Sequence, residues 1–142
     1  MLYYILKGIS ALVCALPRGL CEKMGRGLGN LAWLVIPRKR KLLAIGQIKM
    51  CLGADDDEAC RIPKESTVRF GPMLFEVLRF PLIKKQPENY VRIEGLEKLQ
   101  QGMAAGKGAV IAASHSGNWE LMGGAFAMAG IPLVGVAMKQ KD

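Results

Sequence analysis

A single histidine occurs among the 142 residues, and its neighbours give it chemical possibilities. His115 stands in Ser114-His115-Ser116-Gly117-Asn118-Trp119-Glu120, after a run of small apolar residues at 109–113 and before a segment with helical spacing. An imidazole is the one side chain here that takes and returns a proton near neutral pH without special tuning. Glu120 follows five positions later. If the chain enters a helix between the two, His115 lies in the loop and Glu120 in the first turn, where its carboxylate can fold back to accept the ring's Nδ1–H. Such a bond fixes the tautomer, leaves Nε2 as a base and stabilises the imidazolium, which is the histidine–carboxylate half of a triad. No serine nucleophile is then required, because an acceptor's own hydroxyl can attack a thioester carbonyl as the ring removes its proton. Gly117 offers a side-chain-free approach, and the backbone N–H groups around 117–119 are placed to meet a developing oxyanion with the positive end of the helix dipole behind them. Ser116 or Asn118 can cap that helix. The candidate catalytic residues are therefore His115 and Glu120, and the candidate substrate-contacting residues are Ser116, Gly117 and Asn118. Trp119 reads as a packing residue.

The elements around this segment predict an α/β fold. Residues 90–93 alternate like a strand, 96–103 have helical spacing, Gly106-Lys107-Gly108 is a turn, and 109–113 suits a short buried strand. Residues 118–129 read as a helix closed by Gly130, 132–137 as a third strand, and 139–142 as a loop. The order β-α-β-α-β predicts the start of a mostly parallel sheet with helices on its faces, and ligands bind such sheets beyond the carboxyl ends of the strands, where His115 would stand. The sheet breaks off almost as it begins, so the layer it belongs to is expected to be incomplete. The Gly106-Lys107-Gly108 turn lacks the spacing of a phosphate-binding loop.

The first 41 residues have a different texture. They hold eight basic residues against one acid, Glu22, a net charge of +7, whereas the rest of the chain carries 12 basic and 11 acidic residues. Residues 2–16 form an apolar run too short for a full membrane span, without a good cleavage site, and read as an uncleaved anchor. Pro17 breaks the run, and residues 20–36 resume it with Gly25, Gly27 and Gly29 allowing close backbone approach. Pro37-Arg38-Lys39-Arg40-Lys41 follows at once, where cytoplasmic flanks of membrane segments carry positive charge. Hydrophobic residues make up 51% of the chain and its mean hydropathy is +0.19, so apolar surface must be absorbed by a membrane or a partner. Basic residues that flank oily runs suit an anionic lipid surface better than nucleic acid.

Three segments follow from this: a membrane-anchoring helical segment at 1–41, a helical segment at 42–87, and a partial α/β core at 88–142. Within the second, residues 42–52 and 65–80 have helical stripes, with Glu65/Arg69 and Glu76/Arg79 at pairing distance. Asp55-Asp56-Asp57 between them reads as a solvated acidic loop. Cys14, Cys21, Cys51 and Cys60 form no CxxC pair and have no companion histidines, so they read as reduced thiols rather than a zinc or redox site.

The His115-Ser116-Gly117-Asn118-Trp119-Glu120 segment, with Gly106-Lys107-Gly108-Ala109-Val110-Ile111 before it and Gly130-Ile131-Pro132 after it, resembles the H-x4-(D/E) block of the glycerolipid acyltransferase superfamily. Its wording is most similar to the lipid A biosynthesis acyltransferases, which add lauroyl or myristoyl chains. Val91-Arg92-Ile93-Glu94-Gly95-Leu96 resembles the strand and turn that lead into that block. The resemblance implies acyl transfer from acyl-carrier protein or acyl-CoA to a hydroxyl of a membrane glycolipid, at the cytoplasmic face of the inner membrane, without a metal or other cofactor. Carried over by position, His115 is the general base and Glu120 its orienting partner. The likeness covers about the first half of a typical member, which implies a truncated or split product with weak activity alone. A rival reading is a non-catalytic membrane-bound fragment or partner subunit.

Overall fold

Proline divides the first part of the chain into helices. Leu16 and Ile36 precede Pro17 and Pro37, and both are extended, at φ −83°, ψ 147° and φ −61°, ψ 128°, as the residue before a proline prefers. The helices on either side are α1 (Leu2–Ala15), α2 (Arg18–Val35) and α3 (Arg38–Leu52). In this computed structural model, residues 1–106 and 108–135 are described. They fall into two compact units, Met1–Arg79 and Phe80–Asp142.

In the first unit α4 (Asp56–Leu78) is the element against which α1, α2 and α3 all pack. Its most intimate neighbour is α2. A Cβ built on Gly25 would lie 2.6 Å from Pro72 N, and one on Gly29 would lie 2.5 Å from Val68 O. The numbers rise along α2 as they fall along α4, so the two helices run antiparallel. Pro72 has no N–H, which leaves the Val68 carbonyl without its helical donor, and that carbonyl abuts the bare backbone of Gly29. The expected close approach through glycine is thus present at Gly25 and Gly29. Gly27 instead faces open space.

Helix α4 starts nine residues before the expected position 65, and α3 starts at Arg38 instead of 42. The acidic triplet explains the first difference. Asp55 is the N-cap of α4, its Oδ1 accepting from Glu58 N–H at 2.8 Å, while Asp56, Asp57 and Glu58 fill the first turn, where the helix dipole favours negative charge. The triplet is a helix start and not a solvated loop. Asp56 also pairs with Lys49 of α3, which holds its carboxyl below the usual carboxylate range. Glu65 and Arg69 do pair, at 3.8 Å on the exposed face.

Arg79 caps the other end of α4 and is buried. Its Nη1 donates to Val13 O at 3.0 Å and to Leu16 O at 2.6 Å, closing the carbonyl end of α1 with a positive charge. Ser10 Oγ donates to Leu78 O at 2.5 Å. These bonds tie α1 to the end of α4, while its apolar side chains Leu2, Tyr3, Tyr4 and Leu12 remain 66–75% exposed. Among the described residues, no helix is long and apolar enough to cross a membrane.

The second unit corrects the α/β expectation. It contains α5 (Phe80–Lys85), a 3-10 turn at Pro87–Asn89, α6 (Leu96–Ala104) and α7 (Trp119–Met128), and no strand among the described residues. Among the described residues, none of the three segments read as strands of a parallel sheet forms a strand; residue 90 lies in a turn and the rest is irregular. Alternating or apolar runs show which residues suit a sheet, but only a neighbouring strand makes one. At the first segment a local turn takes the donors instead: Tyr90 N–H and Val91 N–H both bond to Pro87 O, at 3.0 and 2.8 Å. The second segment lies open, with Val110 fully exposed, and in the third Val134 is 95% exposed. Residues 136–137 of that segment, Lys107 of the glycine turn and the expected loop at 139–142 fall outside the described residues.

Two glycine substitutions and one of arginine test the helical unit. Gly29→Ala is expected to destabilise it by about 1–3 kcal/mol, because the added methyl meets backbone that cannot move aside, whereas Gly27→Ala should stabilise it by about 0.5–1 kcal/mol. Urea denaturation of the two variants measures both signs. Arg79→Met, which leaves the α1 carbonyls without their charged donor, is expected to lower the same transition by about 1.5–3 kcal/mol.

Candidate active site

The candidate residues cluster around the start of α7. Gly117 turns the chain with φ +61°, a left-handed conformation that a residue with a Cβ adopts only under strain. Asn118 follows as the N-cap, its Oδ1 accepting from Leu121 N–H at 3.0 Å while its carbonyl takes Met122 N–H at 3.1 Å. Of the two residues considered for the cap, the structure selects Asn118. Glu120 occupies the first turn, as expected, where its charge suits the dipole. At the far end the chain leaves through Gly130 at φ +77°, with Ile131 N–H bonded to Phe126 O at 3.0 Å.

His115 is exposed in the loop before this helix. Its ring lies 4.9 Å from that of Trp119, tilted by 48°. Trp119 is half-buried, so it forms a wall for the imidazole, a role beyond the packing expected of it. Ser116 and Glu120 are exposed. Among the described residues no hydrogen bond or ion pair joins His115 to Glu120. The loop and first turn therefore bring the imidazole, the glycine turn and the carboxylate to one end of one helix, with the ring resting on an indole and not on the acid.

Beside this end of the helix is a cavity of about 360 Å³, lined by Tyr90, Arg92, Asn118, Leu121, Met122 and Phe126, among others. Leu121, Met122 and Phe126 were not singled out as functional from sequence. Their signal was present in the i, i+4 spacing of Asn118, Met122 and Phe126, which places all three on one helical face. Arg92 at the cavity pairs with Glu94 at 2.7 Å, and both are well exposed.

A model of the family described as bacterial lipid A biosynthesis acyltransferase matches residues 1–142. The chain belongs to that family. Its members' activity is acyl transfer in lipid A biosynthesis. No curated protein and no solved structure matches the chain.

The cap is testable through its effect on α7. Asn118→Ala is expected to cost about 1 kcal/mol in the stability of α7, and Asn118→Asp to retain it. Amide hydrogen exchange of the α7 backbone resolves the difference.

Proposed function

We propose that this chain transfers a fatty acyl group from an acyl-carrier-protein or CoA thioester to a hydroxyl of a membrane glycolipid of the lipid A precursor type. The observation that carries the reading is the family match over the whole chain, joined to an exposed imidazole at a glycine turn ahead of a capped helix. His115 removes the proton from the acceptor hydroxyl as its oxygen attacks the thioester carbonyl. The carbonyl oxygen takes the negative charge at the positive end of α7, with Gly117 leaving room for its approach. The tetrahedral adduct then expels the thiolate, and the imidazolium returns its proton to that sulfur, so that a C–O bond forms, a C–S bond breaks and the base is regenerated. Glu120 orients the ring once substrate has drawn the loop together, because hydrogen bonds of this kind tighten in the loaded site. Ser116 and Asn118 border the substrate.

The reaction is placed at the cytoplasmic face of the inner membrane. Supporting this are the basic residues crowded into positions 1–41 and the exposed apolar side chains of α1. A peripheral attachment fits these short helices.

The test uses a radiolabelled acyl thioester and a lipid A precursor in vesicles with the 142-residue chain. Transfer is expected, falling roughly 10²–10⁴-fold in His115→Ala with an unchanged thermal midpoint, since the side chain is exposed. No labelled product, or a rate indifferent to the substitution, contradicts the reading.

A further inference from the structure

The corner between α2 and α3 combines features that local folding does not account for. Helix α3 opens with Arg38, Lys39, Arg40 and Lys41 and has no acid in its first turn. Cations at that end are opposed by the helix dipole, and they repel one another. No acidic residue occurs between Glu22 and Asp55 to offset them. Either side of the cations is oily and uncovered: Leu34 and Val35 are each 73% exposed, Leu42 56% and Leu43 62%. Helix α3 has no buried residue at all. At the centre of the corner Lys41 Nζ lies 4.8 Å above the half-buried ring of Trp33.

We infer that this corner, residues 31–43, is a docking surface for an anionic lipid bilayer. The charge needs a dense anionic partner, and the leucines and valine need an apolar one. A bilayer with negative headgroups supplies both at the depths where they are wanted, the cations at the phosphates and the aliphatic groups just beneath. Trp33 suits the boundary between the two, and Lys41 already covers one of its faces, which leaves the indole poorly placed to stack on a nucleic-acid base. Nucleic acid would satisfy the cations and leave Leu34, Val35, Leu42 and Leu43 in water.

This deepens the membrane placement proposed above and rests on it, by assigning the contact to one corner and one class of lipid. The assay holds no acyl donor and no glycolipid, so loss of vesicle binding and loss of acyl transfer are read separately. The full chain is floated with vesicles of phosphatidylglycerol in phosphatidylcholine and, separately, of phosphatidylcholine alone. Binding is expected only with the anionic vesicles and should weaken as salt is raised. Each cation replaced by serine among Arg38, Lys39, Arg40 and Lys41 should lower the partition roughly fivefold. Arg38→Lys with Arg40→Lys keeps the charge and should bind like the parent, whereas Leu34→Ser with Leu43→Ser should bind less while keeping its helical circular dichroism. Equal binding to neutral vesicles, salt-independent binding, or a preference for duplex DNA over anionic vesicles at the same salt overturns the inference. The salt series on the unmodified chain can still overturn the inference if a variant fails to fold, and the charge-keeping pair set against the serine variants locates the contact.

Discussion

The helical unit depends on one constraint: α2 and α4 meet at a distance that only bare backbone permits. Gly25 and Gly29 remove side chains from one helix, Gly71 from the other, and Pro72 frees the carbonyl that Gly29 abuts. With α2 seated, α4 becomes the post for the rest. Its start is fixed by Asp55, and its end carries Arg79, whose buried guanidinium closes α1. A positive charge at a helix carbonyl end satisfies polar groups that a tight fold would otherwise bury without partners. Because α1 is held chiefly at its last turns, most of its apolar surface is left outward.

The second unit is organised around α7. A left-handed glycine and an asparagine cap set where this helix begins, and its first turn places Glu120 close along the chain to the loop that displays His115. The imidazole meets an indole at 4.9 Å, a contact that limits its orientations without occupying it in an ion pair. The adjoining cavity has Met122 and Phe126 on its helical wall and Tyr90 and Arg92 among its other lining residues. His115, Gly117, Asn118 and Glu120 are all drawn from one helix and the loop before it.

Much of this was legible in the residues because the deciding forces are local. Pro17 and Pro37 end helices by excluding helical geometry from the residue before them, and Gly130 stops α7 by taking a positive φ, so those boundaries could be read directly. The glycine spacing of α2 likewise announced a close contact, though periodicity could not say that Gly27 would face outward. The acidic triplet misled because three aspartates look like a loop until the helix they cap is recognised, and Pro63 within α4 disguised its first turns. The parallel sheet failed for a different reason. Residues 90–93 and 109–113 have the composition of strands, but strand formation is a property of pairs, and a turn onto Pro87 claims the N–H groups of Tyr90 and Val91 in the first. The site segment was found through its single histidine, whereas Arg79, paired in sequence with Glu76, gave no sign of its reach to α1.

His115 is the only histidine, which makes its chemistry separable from that of every other residue. The most direct measurement is acylation of the imidazole by diethylpyrocarbonate, followed by mass spectrometry alongside acyl-transfer activity. The account predicts fast modification of the exposed ring, loss of transfer in proportion to the fraction modified, protection by the acyl thioester, and recovery on treatment with hydroxylamine. Full transfer by chains carrying one ethoxyformyl group on His115 would contradict it.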